Sequence, residues 1–148
     1  MVHILFGKIC SGKSTYARST GKIVFDVDEL MNRIDDKCEG KKRHNEIAMA
    51  IVTYYLEKII ELDKKGIDTV LDYGFWYEEE RRYIKEVLDE EGIAYRFIEF
   101  VAPENVRRKR LIERNKTSKR PIDPDRLATF DSWFEGPVDE EYSIWNTK

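Results

Sequence analysis

Apolar positions along the chain fall into two rhythms. Short runs with almost no polar interruption occur at residues 1–6, broken only by His3, and at 23–25, 67–71 and 93–101; their length and bounds predict buried strands. Between them the spacing is helical. A helix is expected from Gly12 to about Ser19, stopped before Gly21, and another after Asp28 through Leu30 and Ile34. The longest is expected over 45–65, where Ile47, Ile51, Tyr55, Ile59 and Leu62 recur on one face and Gly66 supplies the stop. Residues 77–91 predict an amphipathic helix turning Ile84, Val87 and Leu88 inward, closed by Gly92. Pro103 suits the first turn of a helix reaching about Asn115, and Asp123 before Pro124 and Asp125 reads as the N-cap of a last helix running to about Phe134. Residues 39–43 read as a charged loop, 116–120 as a basic loop, and the tail beyond Gly136 as irregular.

Strands alternating with helices predict an α/β fold: a short parallel sheet with helices on both faces, joined by right-handed crossovers. Ligands of such sheets bind at the carboxyl ends of the strands. Gly7, Asp28, Asp72 and the segment after Val101 all fall there, on one rim. The length of 148 residues suits a single domain over 1–148.

At the end of the first strand, Gly7-Lys8-Ile9-Cys10-Ser11-Gly12-Lys13-Ser14 matches G-x-x-x-x-G-K-[ST] without a mismatch. In this phosphate-binding P-loop the glycines let successive backbone N–H groups face phosphate oxygens. Lys13 reaches the β and γ oxygens, the Ser14 hydroxyl ligates Mg²⁺, and the following helix, entered through Thr15, adds its positive end. A strand before the motif and a helix after it are the context it requires. ATP with Mg²⁺ is the expected ligand, and a three-layer P-loop NTPase fold the expected class. The guanine-reading N-K-x-D motif of GTPases is absent from the sequence.

Composition narrows the picture slightly. Charged residues make up 37% of the chain and the formal net charge is −3, so the broad positive field of a polynucleotide binder is missing. No apolar run approaches a membrane span and no secretory leader opens the sequence, which makes a cytoplasmic location the default. Cys10 and Cys38 have no metal-ligand spacing and read as free thiols, with Cys10 incidental to the loop. Oligomeric state leaves no trace in the pattern.

Other rim residues carry candidate chemistry. Asp26 or Asp28 could accept the proton of an attacking hydroxyl, or cap the next helix. Asp72 ends the apolar run Val70-Leu71, where P-loop enzymes keep the carboxylate that holds Mg²⁺. Arg107, Arg110 and Arg114 are spaced by three and four, so on a helix they share a face that could stabilise a transferring phosphoryl group; Arg120 follows in the basic loop. Tyr73, Phe75, Trp76 and Tyr77 either line an acceptor pocket or pack in the core, while Trp133, Phe134 and Trp145 read as packing.

Four segments, GKICSGKST, FDVDEL, VLDYGFWYEEERR and RLIERNKTSKRPIDPDRL, resemble the small P-loop kinases that include the 5′-kinase domain of polynucleotide kinase, gluconate kinase and chloramphenicol phosphotransferase. The resemblance implies that Asp28 is the general base and Asp72 the metal-associated carboxylate. It implies an arginine-rich lid, at about 115–122, whose arginines, Arg110 or Arg114 with Arg120 as a further candidate, close over ATP. Polynucleotide kinases carry an arginine three residues after the base, where this chain has Met31. The implied activity is therefore an ATP-dependent phosphotransferase acting on the hydroxyl of a small molecule. A 5′-hydroxyl polynucleotide kinase is the less favoured enzyme alternative, and a non-catalytic ATP-dependent switch the alternative outside catalysis.

Overall fold

The computed structural model describes residues 1–34 and 40–148. Cys38 and Glu39, read above as a free thiol and as part of a charged loop, lie outside the described residues. The elements run β1 (Val2–Gly7), α1 (Lys13–Ser19), β2 (Ile23–Asp26), α2 (Val27–Ile34), α3 (Lys41–Asp63), β3 (Thr69–Asp72), α4 (Glu78–Glu90), β4 (Tyr95–Val101) and α5 (Glu104–Asn115). A 3₁₀ turn (Pro124–Arg126), α6 (Leu127–Ser132) and β5 (Ser143–Asn146) complete the chain.

All strand pairs are parallel, in the order β2-β3-β1-β4-β5. Side chains alternate across a strand, so β1 sends Val2, Ile4 and Phe6 to one face and Leu5 to the other. The first face packs on α2, α3 and α4 through Met31, Val52, Leu56, Ile59, Ile84 and Leu88. Leu5, Val70, Ile98 and Phe100 meet Ala17 of α1 on the second. Helices thus cover both faces, and β1, buried except at His3, sits between β3 and β4. Register brings Asp26 beside Asp72, and Gly7 beside Phe100, at the carboxyl ends.

Three features differ most from the pattern-based expectation. Lys41–Arg43 are already helical, because the first turn of α3 faces solvent and carries no apolar periodicity. The buried face of α3 runs through Ala48, Ile51, Val52, Leu56 and Ile59, leaving Ile47 and Tyr55 only half-buried. The tail forms a fifth strand, β5, with all four of its residues exposed. An edge strand needs a partner's hydrogen bonds more than an apolar pattern of its own, and β4 supplies them from Ile98 to Val101.

Arg81 ties the tail to the core. Its guanidinium is 1% exposed and donates to Phe75 O (2.7 Å) and Glu135 O (2.8 Å). It also pairs with both carboxylate oxygens of Glu140 (2.8 and 3.0 Å). It lies 5.0 Å from the Phe6 ring centre as well. Removing one member of such a buried pair strands the others without partners. Arg81→Met is expected to destabilise the fold by about 3 kcal/mol or more in urea unfolding.

Candidate active site

The loop between β1 and α1 presents its two sides differently. Five consecutive carbonyl oxygens each accept a hydrogen bond from the surrounding protein. Gly7 O takes Trp76 Nε1 (3.0 Å) and Lys13 Nζ (3.2 Å), and Lys8 O takes Lys13 Nζ (3.0 Å). Ile9 O takes Arg107 Nη1 (3.5 Å), Cys10 O takes Arg110 Nη1 (3.1 Å), and Ser11 O takes Thr147 Oγ1 (2.8 Å). By contrast, the backbone N–H groups of Cys10, Gly12, Lys13 and Ser14 donate to no described residue. Cys10 (φ 58°) and Gly12 (φ 104°) adopt left-handed backbone on either side of Ser11, the alternation that makes successive N–H groups converge on an anion. Gly7 is required by space, since a Cβ there would lie 2.5 Å from Phe100 O.

Ser14 donates to Asp72 Oδ2 at 2.8 Å, joining the first turn of α1 to the end of β3. Asp72 is 3% exposed. Burial pushes its carboxyl up to about 6 against the pull of Lys13 and Ser14, with Asp26 and Asp28 adding like charge. Lys13 is lowered by desolvation, offset in part by Asp72 and Asp28. Beside this pair, Ser14, Ala17, Arg18, Val24, Asp26, Glu29 and Asp72 line a cavity of about 120 Å³, too small for a nucleotide. Among the described residues no group of three or more His, Cys, Asp or Glu could hold a metal by itself. A Mg²⁺ at Ser14 and Asp72 would therefore draw most of its oxygens from phosphate and water, as Mg²⁺ usually does.

The two candidate bases separate by geometry. Asp26 caps α2, its Oδ1 accepting from Glu29 N at 3.0 Å. Asp28 lies in the first turn of α2, relieved of capping and open to solvent. Protein crowded around the cleft nonetheless desolvates its carboxyl enough to push it up to about 6; Asp26 adds repulsion, while Lys13, Arg114 and Arg120 pull it back. The Asp28 carboxyl thus feels the loop lysine and both distal arginines.

The arginines do not act as one face. Arg107 is 3% exposed and forms a two-point pair with Asp131 (3.0 and 2.7 Å) while donating to Ala102 O (3.1 Å). Arg110 is turned to the loop's carbonyl side, donating to Cys10 O, to Thr147 Oγ1 (3.0 Å) and to Lys148 O (2.9 Å). Arg110, expected to face the phosphates, has these donors engaged on the carbonyl side of the loop. Arg114 and Arg120 lie at the ends of the basic loop. There Asn115 Nδ2 donates to Ile122 O (2.6 Å) and Ile122 N donates back to Asn115 Oδ1 (3.0 Å).

The aromatic run after Asp72 divides as well. Phe75 is fully buried, and Trp76 braces Gly7 while packing against Phe130 (6.1 Å) and Trp133 (6.4 Å). Tyr73 and Tyr77 stay half-buried: the Tyr73 hydroxyl lies 3.2 Å from His44 Nε2, and Lys41 Nζ stands 5.2 Å from the Tyr77 ring centre. Thr15 is exposed in the first turn of α1. Trp76, Thr147, His44 and the Arg107–Asp131 pair carry no local signal, because each meets its partner across at least 24 residues.

Asp72 has a raised folded pKa, so the native state binds more protons than the unfolded chain between about pH 4 and 6, and its carboxylate costs stability above that window. Asp72→Asn is expected to raise Tm by a few degrees at about pH 7, the gain shrinking as pH falls toward about 4, in paired thermal melts.

No described helix is long and apolar enough to cross a membrane, and no curated protein sequence matches the chain. Several solved structures share its fold. A gluconokinase from Sinorhizobium meliloti 1021 superposes with a TM-score of 0.67 at 14% identity, covering 98% of this chain and 81% of that one. The Mycobacterium tuberculosis APS kinase CysC, in complex with AMPPNP and APS, gives 0.62 at 16% identity, over 98% and 87%. A chain of the Pnkp1/Rnl/Hen1 RNA repair complex gives 0.68 at 18%, over 89% of this chain and 43% of that one. A phosphate-binding loop at the centre of a five-stranded parallel sheet agrees with the match of residues 2–137 to the AAA domain family, and the chain belongs to that family, in its P-loop, kinase-like form.

Proposed function

We propose that the protein is an ATP-dependent kinase that moves the γ-phosphate of ATP to a hydroxyl group of a small-molecule acceptor. The carrying observation is the division of labour at the end of β2: Asp26 caps the helix, while Asp28 stands open to solvent within the electrostatic reach of Lys13, Arg114 and Arg120. A phosphate-binding loop alone serves motors and switches equally well. A carboxylate within electrostatic reach of the loop lysine, on a fold shared with a gluconokinase and an APS kinase, favours transfer.

In this reading the N–H groups of Cys10, Gly12, Lys13 and Ser14 hold the β- and γ-phosphates, and Lys13 leaves its carbonyl partners to bridge their oxygens. Ser14 and Asp72 would hold Mg²⁺, which would neutralise phosphate charge. The acceptor hydroxyl gives its proton to an Asp28 oxygen as its own oxygen bonds to the γ-phosphorus; the bond from phosphorus to the β-bridging oxygen breaks and ADP leaves. Arg114 and Arg120, on the Asn115-closed lid loop, compensate charge on the transferring group and limit water.

Asp28 must be ionised to take that proton. Because its pKa lies at about 6, the rate should fall as pH drops through that value, not near 4 as for an ordinary aspartate. Asp28→Asn is expected to lower kcat by about 10²- to 10⁴-fold and to leave MgATP affinity equal or tighter. The check is ADP release over a panel of sugars, other alcohols and 5′-hydroxyl oligonucleotides, with Lys13→Ala as the blank. Turnover of the oligonucleotides alone would transfer the site to polynucleotide chemistry. Nucleotide binding with no acceptor but with a nucleotide-dependent protein partner would make the protein a switch.

A further inference from the structure

We infer that Thr147, oriented by Arg110, is a positioning residue for the phosphate loop. It sets the direction of the Gly12 N–H from the far side of the peptide. The inference rests on the loop being the phosphate site proposed above.

A peptide unit is planar, so fixing a carbonyl oxygen fixes the N–H on its opposite edge. The Ser11–Gly12 peptide needs such fixing most. Glycine visits positive and negative φ with similar ease, so a peptide beside Gly12 (φ 104°) can turn over at little cost and point its oxygen where the phosphates belong. Thr147 blocks that rotation twice. Its hydroxyl donates to Ser11 O at 2.8 Å, and its methyl stands 2.9 Å from where a Gly12 Cβ would be, lying over the glycine.

The direction of the hydroxyl proton is determined by its neighbours. Arg110 Nη1 can only donate, and does so to Thr147 Oγ1 at 3.0 Å; a carbonyl can only accept. The Thr147 proton must therefore point at Ser11 O. The same Nη1 also donates to Cys10 O at 3.1 Å, and Arg107 Nη1 approaches Ile9 O at 3.5 Å, so adjacent peptides are held from the same side. Thr147 is itself placed by the sheet, its N–H donating to Val101 O at 2.9 Å as the β4–β5 ladder continues past Asn146. An edge strand with no buried side chain thereby delivers one hydroxyl to the back of the loop.

The test is calorimetric titration with MgADP, beside thermal melts of the nucleotide-free protein. Thr147→Val keeps the shape and removes the hydroxyl; it is expected to weaken MgADP binding about tenfold or more while the nucleotide-free Tm changes little. Thr147→Ser restores the hydroxyl without the methyl and should recover most of that affinity. Arg110→Gln should weaken binding too, and the Arg110→Gln/Thr147→Val double variant should be weakened by less than the product of the two single effects. Wild-type protein that does not bind MgADP would bring down the nucleotide-site reading together with this one. Wild-type binding with an unaffected Thr147→Val, a Thr147→Ser as weak as Thr147→Val, or fully multiplicative single effects would overturn the positioning role alone. Should Thr147→Val fail to fold, Arg110→Gln decides: unchanged MgADP affinity overturns the inference.

Discussion

The orientation of five peptide units in one loop is the constraint on which the rest of the site depends. Residues 7–11 turn their carbonyls toward the protein, where an indole, an ammonium, two guanidinium groups and a hydroxyl accommodate them. The N–H groups are then left on the other side, gathered at the start of α1. No side chain in the loop could achieve this alone, because a backbone rich in left-handed conformations has no intrinsic reason to choose one orientation of its peptides. The choice is imposed from three distant segments: the turn after β3, the guanidinium-bearing face of α5, and the residue after β5.

Electrostatics at the rim follow from crowding like charges where the sheet ends. Parallel register places Asp26 beside Asp72, and the first turn of α2 adds Asp28 two residues onward. Burial and mutual repulsion raise the carboxyls, most clearly at Asp28 and Asp72, and desolvation lowers Lys13. Each group is held in the form it least prefers, which costs folding stability and leaves the site poised for an anion with its counter-ion. Strain of this kind marks functional sites more often than packing sites, since a core selected for stability alone would have discarded it.

Structural ties around the loop explain why several residues with apparently catalytic chemistry serve the scaffold. Arg107 spends its donors on Asp131 and Ala102 O, and Arg81 joins the turn after β3 to the segment before β5. Trp76 and Phe75, adjacent in sequence, diverge completely: one braces Gly7 and the other fills the core. In each case a guanidinium or ring capable of binding ligand found a backbone oxygen or a packing partner first.

Local pattern was enough to specify the α/β class, the parallel sheet, the loop from Gly7 to Ser14 and the placing of Asp28 and Asp72 at strand ends. These depend on periodicity and on glycines whose requirement is written in neighbouring residues. Three features were legible only in part or not at all. Asp26 and Asp28 have identical chemistry two positions apart, and only the observed hydrogen bond to Glu29 N separates capping from availability. Arg107, Arg110 and Arg114 share a helical face by spacing, yet Arg107 and Arg110 are drawn apart because the acceptors that claim them come from the loop, α6 and the tail. The strand over Ser143–Asn146, and with it Thr147, has no apolar signature, since its stability is supplied by the edge of β4. The sequence by itself determined which groups stand on the rim, because side-chain periodicity and backbone freedom are local properties. Only the tertiary structure decided which way those groups, and the peptides of the loop, would point, because hydrogen-bond partners more than a hundred residues apart meet only when the sheet closes.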